Sequence, residues 1–137
     1  MVVFIRRKDV YLIQKLDQSK IKVIISTIAG ISTIIRVIWE QTVLPLLLLK
    51  ERVDVLFCPG NIAPIYSPVK TIQWIGTIGP FFKEYYNGYN LIGKIGLHVN
   101  KILMYTSARK SDIVIHDSRF SQNLFFNKKK FEIFPKP

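Results

Sequence analysis

Arg36 and Glu40 stand four residues apart with Trp39 beside them, a spacing that lets a guanidinium and a carboxylate meet on one helical surface. Such a fork can hold an anionic group with Glu40 orienting Arg36, or form an ordinary surface ion pair worth about 0.5 kcal/mol or less. Trp39 serves equally well as a packing residue at the rim of a core. His116 and Asp117 are the other chemistry-bearing neighbours, but one His and one Asp without a third partner at ligand spacing make neither a metal centre nor a catalytic set. Cys58 is the single cysteine, which excludes an intramolecular disulfide or a thiolate cluster and fits a reducing compartment. Gly76 and Gly79 match no phosphate-binding fingerprint, because neither a dinucleotide motif nor a P-loop lysine and hydroxyl follows them.

The elements that position these residues read as an α/β chain. Apolar runs at Val2–Ile5, Ile21–Ser26, Val53–Phe57, Lys70–Ile75, Asp112–His116 and Phe131–Phe134 predict strands, mostly buried and parallel. Asp9 caps a predicted short helix to Asp17. Gly30, Ser32 and Thr33 open a long one, in which Ile31, Ile34, Ile35, Ile38, Leu46 and Leu49 share the arc expected to face the sheet, with Arg36 and Glu40 off it. Pro45 is expected to kink or divide that helix. Leu91–Lys110 predicts a second long helix, with Ile92, Ile95, Val99, Ile102 and Leu103 at three-to-four spacing. Asp117 or Ser118 caps a third through Phe126. Cys58, Pro59, Gly60 and Asn61, then Pro64 and Pro68, hold a loop at the carboxyl end of a strand, where open parallel sheets collect binding residues.

At 137 residues the chain is sized for one ordinary domain and short for two, and 49% apolar residues exclude a disordered tail. The net charge of +11 favours anionic partners: acidic lipid, phosphorylated small molecules or nucleic acid. Residues 1–58 hold nine basic and five acidic side chains and residues 59–137 eleven and four, so the second part is the more basic. That part also gathers Phe81, Phe82, Tyr85, Tyr86 and Tyr89 within nine residues, a surface suited to stacking on a sugar or base or to a bilayer interface. Nucleic acid ranks lowest, because the charge is dispersed and no binding motif accompanies it. The early Arg6, Arg7 and Lys8 contradict a signal peptide, and the apolar windows fall short of a membrane span.

The order Arg36, Trp39-Glu40-Gln41, Leu44-Pro45, then Asp54-Val55-Leu56-Phe57 with Pro59, Gly60, Pro64 and Pro68, resembles the N-terminal half of a family 4 glycosyltransferase (glycosyl transferases group 1). Ser107-Ala108-Arg109, Asp112, Ile113-Val114, and Ser118 with Phe120-Ser121 resemble the helix, strand and helix that precede that family's interdomain linker. The resemblance covers roughly residues 30 to 125. It implies a GT-B architecture of two Rossmann-like domains, with the donor held by the C-terminal one and no metal or other cofactor required. The expectation is a partial N-terminal Rossmann-like domain over residues 1–137, truncated at both ends, with the donor-binding domain absent. Where many members carry a His-Asp or His-Asn pair, this sequence has Gly76-Thr77-Ile78-Gly79-Pro80, and no catalytic base is assigned. Acceptor-side candidates under the resemblance are Arg36, Trp39, Glu40, Gly60, Asn61, Gly79, Phe81, Phe82, Ser118 and Ser121. Helix capping is the plainer role for the two serines.

Two functions follow from these expectations. In one, the full-length form transfers a sugar from a nucleotide-sugar donor to an acceptor hydroxyl, and this chain is inactive by itself. In the other, the chain is a noncatalytic acceptor-binding or interaction subunit of a split transferase. Expected partners are a donor-binding domain or subunit, a sugar or lipid-linked acceptor, and an anionic membrane surface. The expected location is the cytoplasm or the cytoplasmic face of a membrane.

Overall fold

Strands made of β-branched residues alternate with two long helices in this chain, giving an α/β architecture consistent with an incomplete Rossmann-like fold. A computed structural model describes residues 1–7, 11, 22–27, 32–125 and 131–133. The helix expected over Asp9–Asp17 lies outside the described residues. Two compact units divide the chain, Met1–Val53 and Asp54–Pro137.

In the first unit β1 (Val2–Arg6) pairs in parallel with β2 (Lys22–Ser26), Val2 opposite Lys22 and Arg6 opposite Ser26. α1 (Thr33–Lys50) is capped by Ser32, whose Oγ accepts the Ile35 amide at 3.2 Å. Pro45 does not divide it: a proline removes one amide donor, and the remaining ladder carries the helix through to Lys50. The helix closes with a Schellman turn. Arg52 N–H bonds to Leu49 O, Val53 N–H bonds to Leu48 O, and Arg52 adopts φ +50° where glycine is usual. Lys22 pairs with Glu51 and ties β2 to the end of α1.

The expected inner arc of α1 needs correction. Ile34, Ile38, Leu46 and Leu49 are exposed, while Leu44 and Leu48 are the buried residues. Leu46 to Leu49 are four consecutive leucines, so the helix is apolar on every side there and periodicity could not select the packed face.

The second unit holds a four-stranded parallel sheet in the order β3 (Val55–Cys58), β4 (Lys70–Ile75), β5 (Ile113–His116), β6 (Phe131–Ile133). α2 (Leu91–Lys110) links β4 to β5, and α3 (Arg119–Phe125) links β5 to β6. Strands added in sequence order with right-handed crossovers send both helices to one face. Ile75 and Val114 of the sheet accordingly pack with Met104 and Ala108 of α2 and Phe125 of α3. The opposite face is open: Val55, Phe57, Trp74 and Ile113 are all exposed. β3 is therefore buried on one side only, not on both as its apolar run suggested.

Candidate functional site

The carboxyl ends of β3, β4 and β5 meet at one rim, and Asn61 fastens it. Asn61 takes φ +51°, a left-handed backbone that asparagine tolerates better than most residues. Its N–H donates to Trp74 O at 3.1 Å, and its carbonyl accepts from Gln73 Nε2. Its side-chain Oδ1 accepts the amides of Gly76 and Thr77, both at 3.0 Å. One residue of the loop after β3 thus staples the exit of β4. The same contact fills the two adjacent amides that would otherwise present donors to an anion.

Beneath the rim, Gln73 is fully buried with its amide engaged at both ends. Nε2 donates to Ser107 Oγ at 3.1 Å as well as to Asn61 O, and Oε1 accepts from Ser111 Oγ at 2.9 Å. Ser107 Oγ donates on to Met104 O. A buried amide left unbonded costs about 1–3 kcal/mol, so this network fixes the separation of β4 from the end of α2.

On the exposed side of the rim, Trp74 Nε1 donates to Asp117 Oδ1 at 2.5 Å. Asp117 Oδ2 lies beside Gly76, 3.4 Å from where a Cβ there would stand. The indole orients a solvent-accessible carboxylate beside a bare glycine, an arrangement with an apolar ring face and an acceptor for ligand hydroxyls.

His116 turns the other way. It is buried, shares a 2.8 Å hydrogen bond between Nδ1 and Ser121 Oγ, and lies 5.5 Å from the Phe125 ring centroid. Burial pushes its pKa down to about 4, against the opposing attraction of Asp117. Neither His116 nor Ser121 is accessible to a ligand, so the pair braces β5 against α3.

The candidates read from sequence are distributed as follows. Arg36 Nε lies 3.5 Å from Glu40 Oε1 on α1 of the first unit, both partly exposed, with Trp39 half-buried nearby. In the second unit Asn61 holds the rim, whereas Gly60 is in open space that any side chain could fill. Gly79 sits under the Tyr85 ring, where a Cβ would come within 2.6 Å of Cε2. Phe81 packs on Phe125 with centroids 4.5 Å apart, and Phe82 stacks on Phe120 at 6.0 Å. Ser118 Oγ accepts the Ser121 amide at 3.1 Å and caps α3; Ser121 is the buried partner of His116. Among the described residues no group of three His, Cys, Asp or Glu converges on a metal position.

Trp74 and Asp117 were not paired by sequence reasoning. They are 43 residues apart, and only the alignment of Trp74 with Ile115 across β4 and β5 brings them together. Compared with protein-family models, curated proteins and solved structures, the chain matches none.

Proposed function

We propose that the chain is the acceptor-side half of a sugar-transferring protein, with the nucleotide-sugar donor held by a separate domain or subunit. The observation that carries this reading is the Trp74–Asp117 contact at an exposed strand-end rim. An indole face suits the C–H face of a sugar, and an ionised carboxylate accepts two hydroxyls. Asp117 takes the hydrogen bond of the acceptor O–H and is positioned to receive its proton as the oxygen bonds to the anomeric carbon and the nucleoside diphosphate leaves. The Asn61 clamp supports the division of labour, because the amides best suited to a diphosphate are already occupied. The reading is consistent with a cytoplasmic location and a reduced Cys58.

Saturation-transfer NMR with a panel of methyl glycosides and with uridine and guanosine diphosphates tests it. At least one glycoside binds, the nucleoside diphosphates do not, and Asp117→Asn weakens the glycoside about tenfold or more, the range for a hydrogen bond to a charged group. Binding of the nucleotides alone, or glycoside binding indifferent to Asp117→Asn, contradicts it.

A further inference from the structure

α2 carries large apolar side chains on both of its sides. Its inner side holds Met104 with the small Ser107 and Ala108, and half-buried Gly93, Leu97 and Asn100 continue that side toward the N-terminus. Its outer side carries Leu91, Ile92, Ile95, Val99 and Ile102, exposed by 74%, 79%, 57%, 49% and 52%. A helix that packs one side through Leu97, Leu103, Met104, Ser107 and Ala108 and still leaves five large aliphatics exposed on the other is matched to an apolar environment outside the protein.

The chemistry around the stripe identifies that environment. α2 contains Lys94, Lys101, Arg109 and Lys110 and no acidic residue. At 100° per residue, exposed Lys94 lies on one flank of the stripe, while half-buried Lys101 sits nearer the packed side with its Nζ 5.3 Å from the Phe81 ring centroid. Tyr85 and Tyr89, both exposed and 6.2 Å apart, stand immediately before the helix N-terminus. Aliphatics along the middle, an exposed lysine at the border and tyrosines at the end are the features of a helix lying in the plane of a lipid–water interface. Lys94 and Lys101 also prevent α2 from crossing the bilayer, and no helix among the described residues is long and apolar enough to do so. A second copy of the chain fits the stripe poorly, because two-fold pairing would bring lysines toward lysines with no carboxylate on the helix to offset them.

We infer that α2 docks the second unit onto an anionic membrane surface, lying flat with Ile92, Ile95, Val99 and Ile102 in the acyl boundary and Lys94 at the headgroups. The inference stands apart from the sugar-binding reading and does not need it. Docking by α2 holds the rim of β3–β5 near the headgroup layer, since the N-terminus of a crossover helix lies at the carboxyl end of its parallel strands.

Co-sedimentation of the full chain with vesicles of phosphatidylcholine mixed with phosphatidylglycerol, against phosphatidylcholine alone, tests the docking. Recovery is greater on the anionic vesicles and falls as salt is raised. Ile95→Ser with Ile102→Ser, both at exposed positions, lowers partitioning about 100-fold without changing the thermal unfolding midpoint. Lys94→Gln lowers it about fivefold. Ile34→Ser with Ile38→Ser on α1 leaves it unchanged. Equal recovery on neutral and anionic vesicles, no recovery on either, or loss through the α1 pair in place of the α2 pair overturns the inference. A concentration-dependent dimer without lipid, dissolved by the α2 pair, overturns it in favour of a second copy.

Discussion

α1 and α2 are nearly the same length and both turn isoleucines and leucines to solvent, yet they differ in what lies beside those side chains. α1 has Arg36 compensated by Glu40, and its other cation, Lys50, falls at its last residue. α2 has four cations and no acid, with exposed Lys94 alongside the stripe. The inner sides differ as well. α1 buries Leu44 and Leu48, one turn apart, whereas α2 buries Met104 among small residues and hands Ser107 to the Gln73 network. Exposure of apolar side chains therefore does not by itself define a surface. The bordering charge gives it direction.

The comparison breaks first at the buried positions. Leu48→Ala in α1 and Met104→Ala in α2 each cost about 2–5 kcal/mol in urea unfolding, because both side chains are enclosed and leave cavities. Ile34→Ala and Ile95→Ala on the outer sides stay within about 0.5 kcal/mol. Equal losses inside and outside would mean that the stripes are covered by protein.

Next in size is the acid sensitivity of the second unit. His116 is held neutral in the fold with its pKa lowered from 6.5 to about 4, so below pH 6.5 the unfolded chain takes up a proton that the native chain refuses. Stability is complete above pH 6.5, falls as the pH drops towards 4, and then levels, by at most about 3 kcal/mol from this residue. His116→Asn should flatten that part of the stability–pH curve in chemical denaturation; an unchanged slope would show that another group titrates.

Smaller effects sharpen the same contrast. Ser107→Ala removes a partner of buried Gln73 and costs about 1–2 kcal/mol in thermal or urea unfolding, more than an exposed serine would. Arg52→Gly, which relieves the left-handed residue ending α1, raises stability by about 0.5–1 kcal/mol. A loss at Arg52→Gly would mean that the arginine side chain makes a contact worth more than the backbone relief.

Much of the element order was legible because local chemistry marks it. Ser32 caps the first long helix where its start was expected, and the strands at Lys70–Ile75 and Ile113–His116 stand close to where their β-branched runs fall. The parallel α/β class follows from that alternation, although its strands are shared between two sheets. What was not legible is which way a face points. The leucines of α1 offer no period near its end, and the isoleucine stripe of α2 looks like a core stripe until Met104, Ser107 and Ala108 are seen to occupy the packed side. The site was legible in part. Asn61 follows from its place after β3 in a proline-punctuated loop, whereas Trp74 with Asp117 needs the register of β4 on β5, which no short-range pattern encodes.

The most direct measurement is the indole N–H resonance of Trp74 in nitrogen-15-labelled chain, assigned against Trp39→Phe and followed during titration with the glycoside panel. Sugar binding at the rim predicts that this resonance shifts together with the Gly76 and Thr77 amides, that Asp117→Asn abolishes the shift, and that uridine diphosphate leaves all three in place. Movement of the Gly76 and Thr77 amides by uridine diphosphate, with the glycosides silent at Trp74, would contradict the acceptor-side reading.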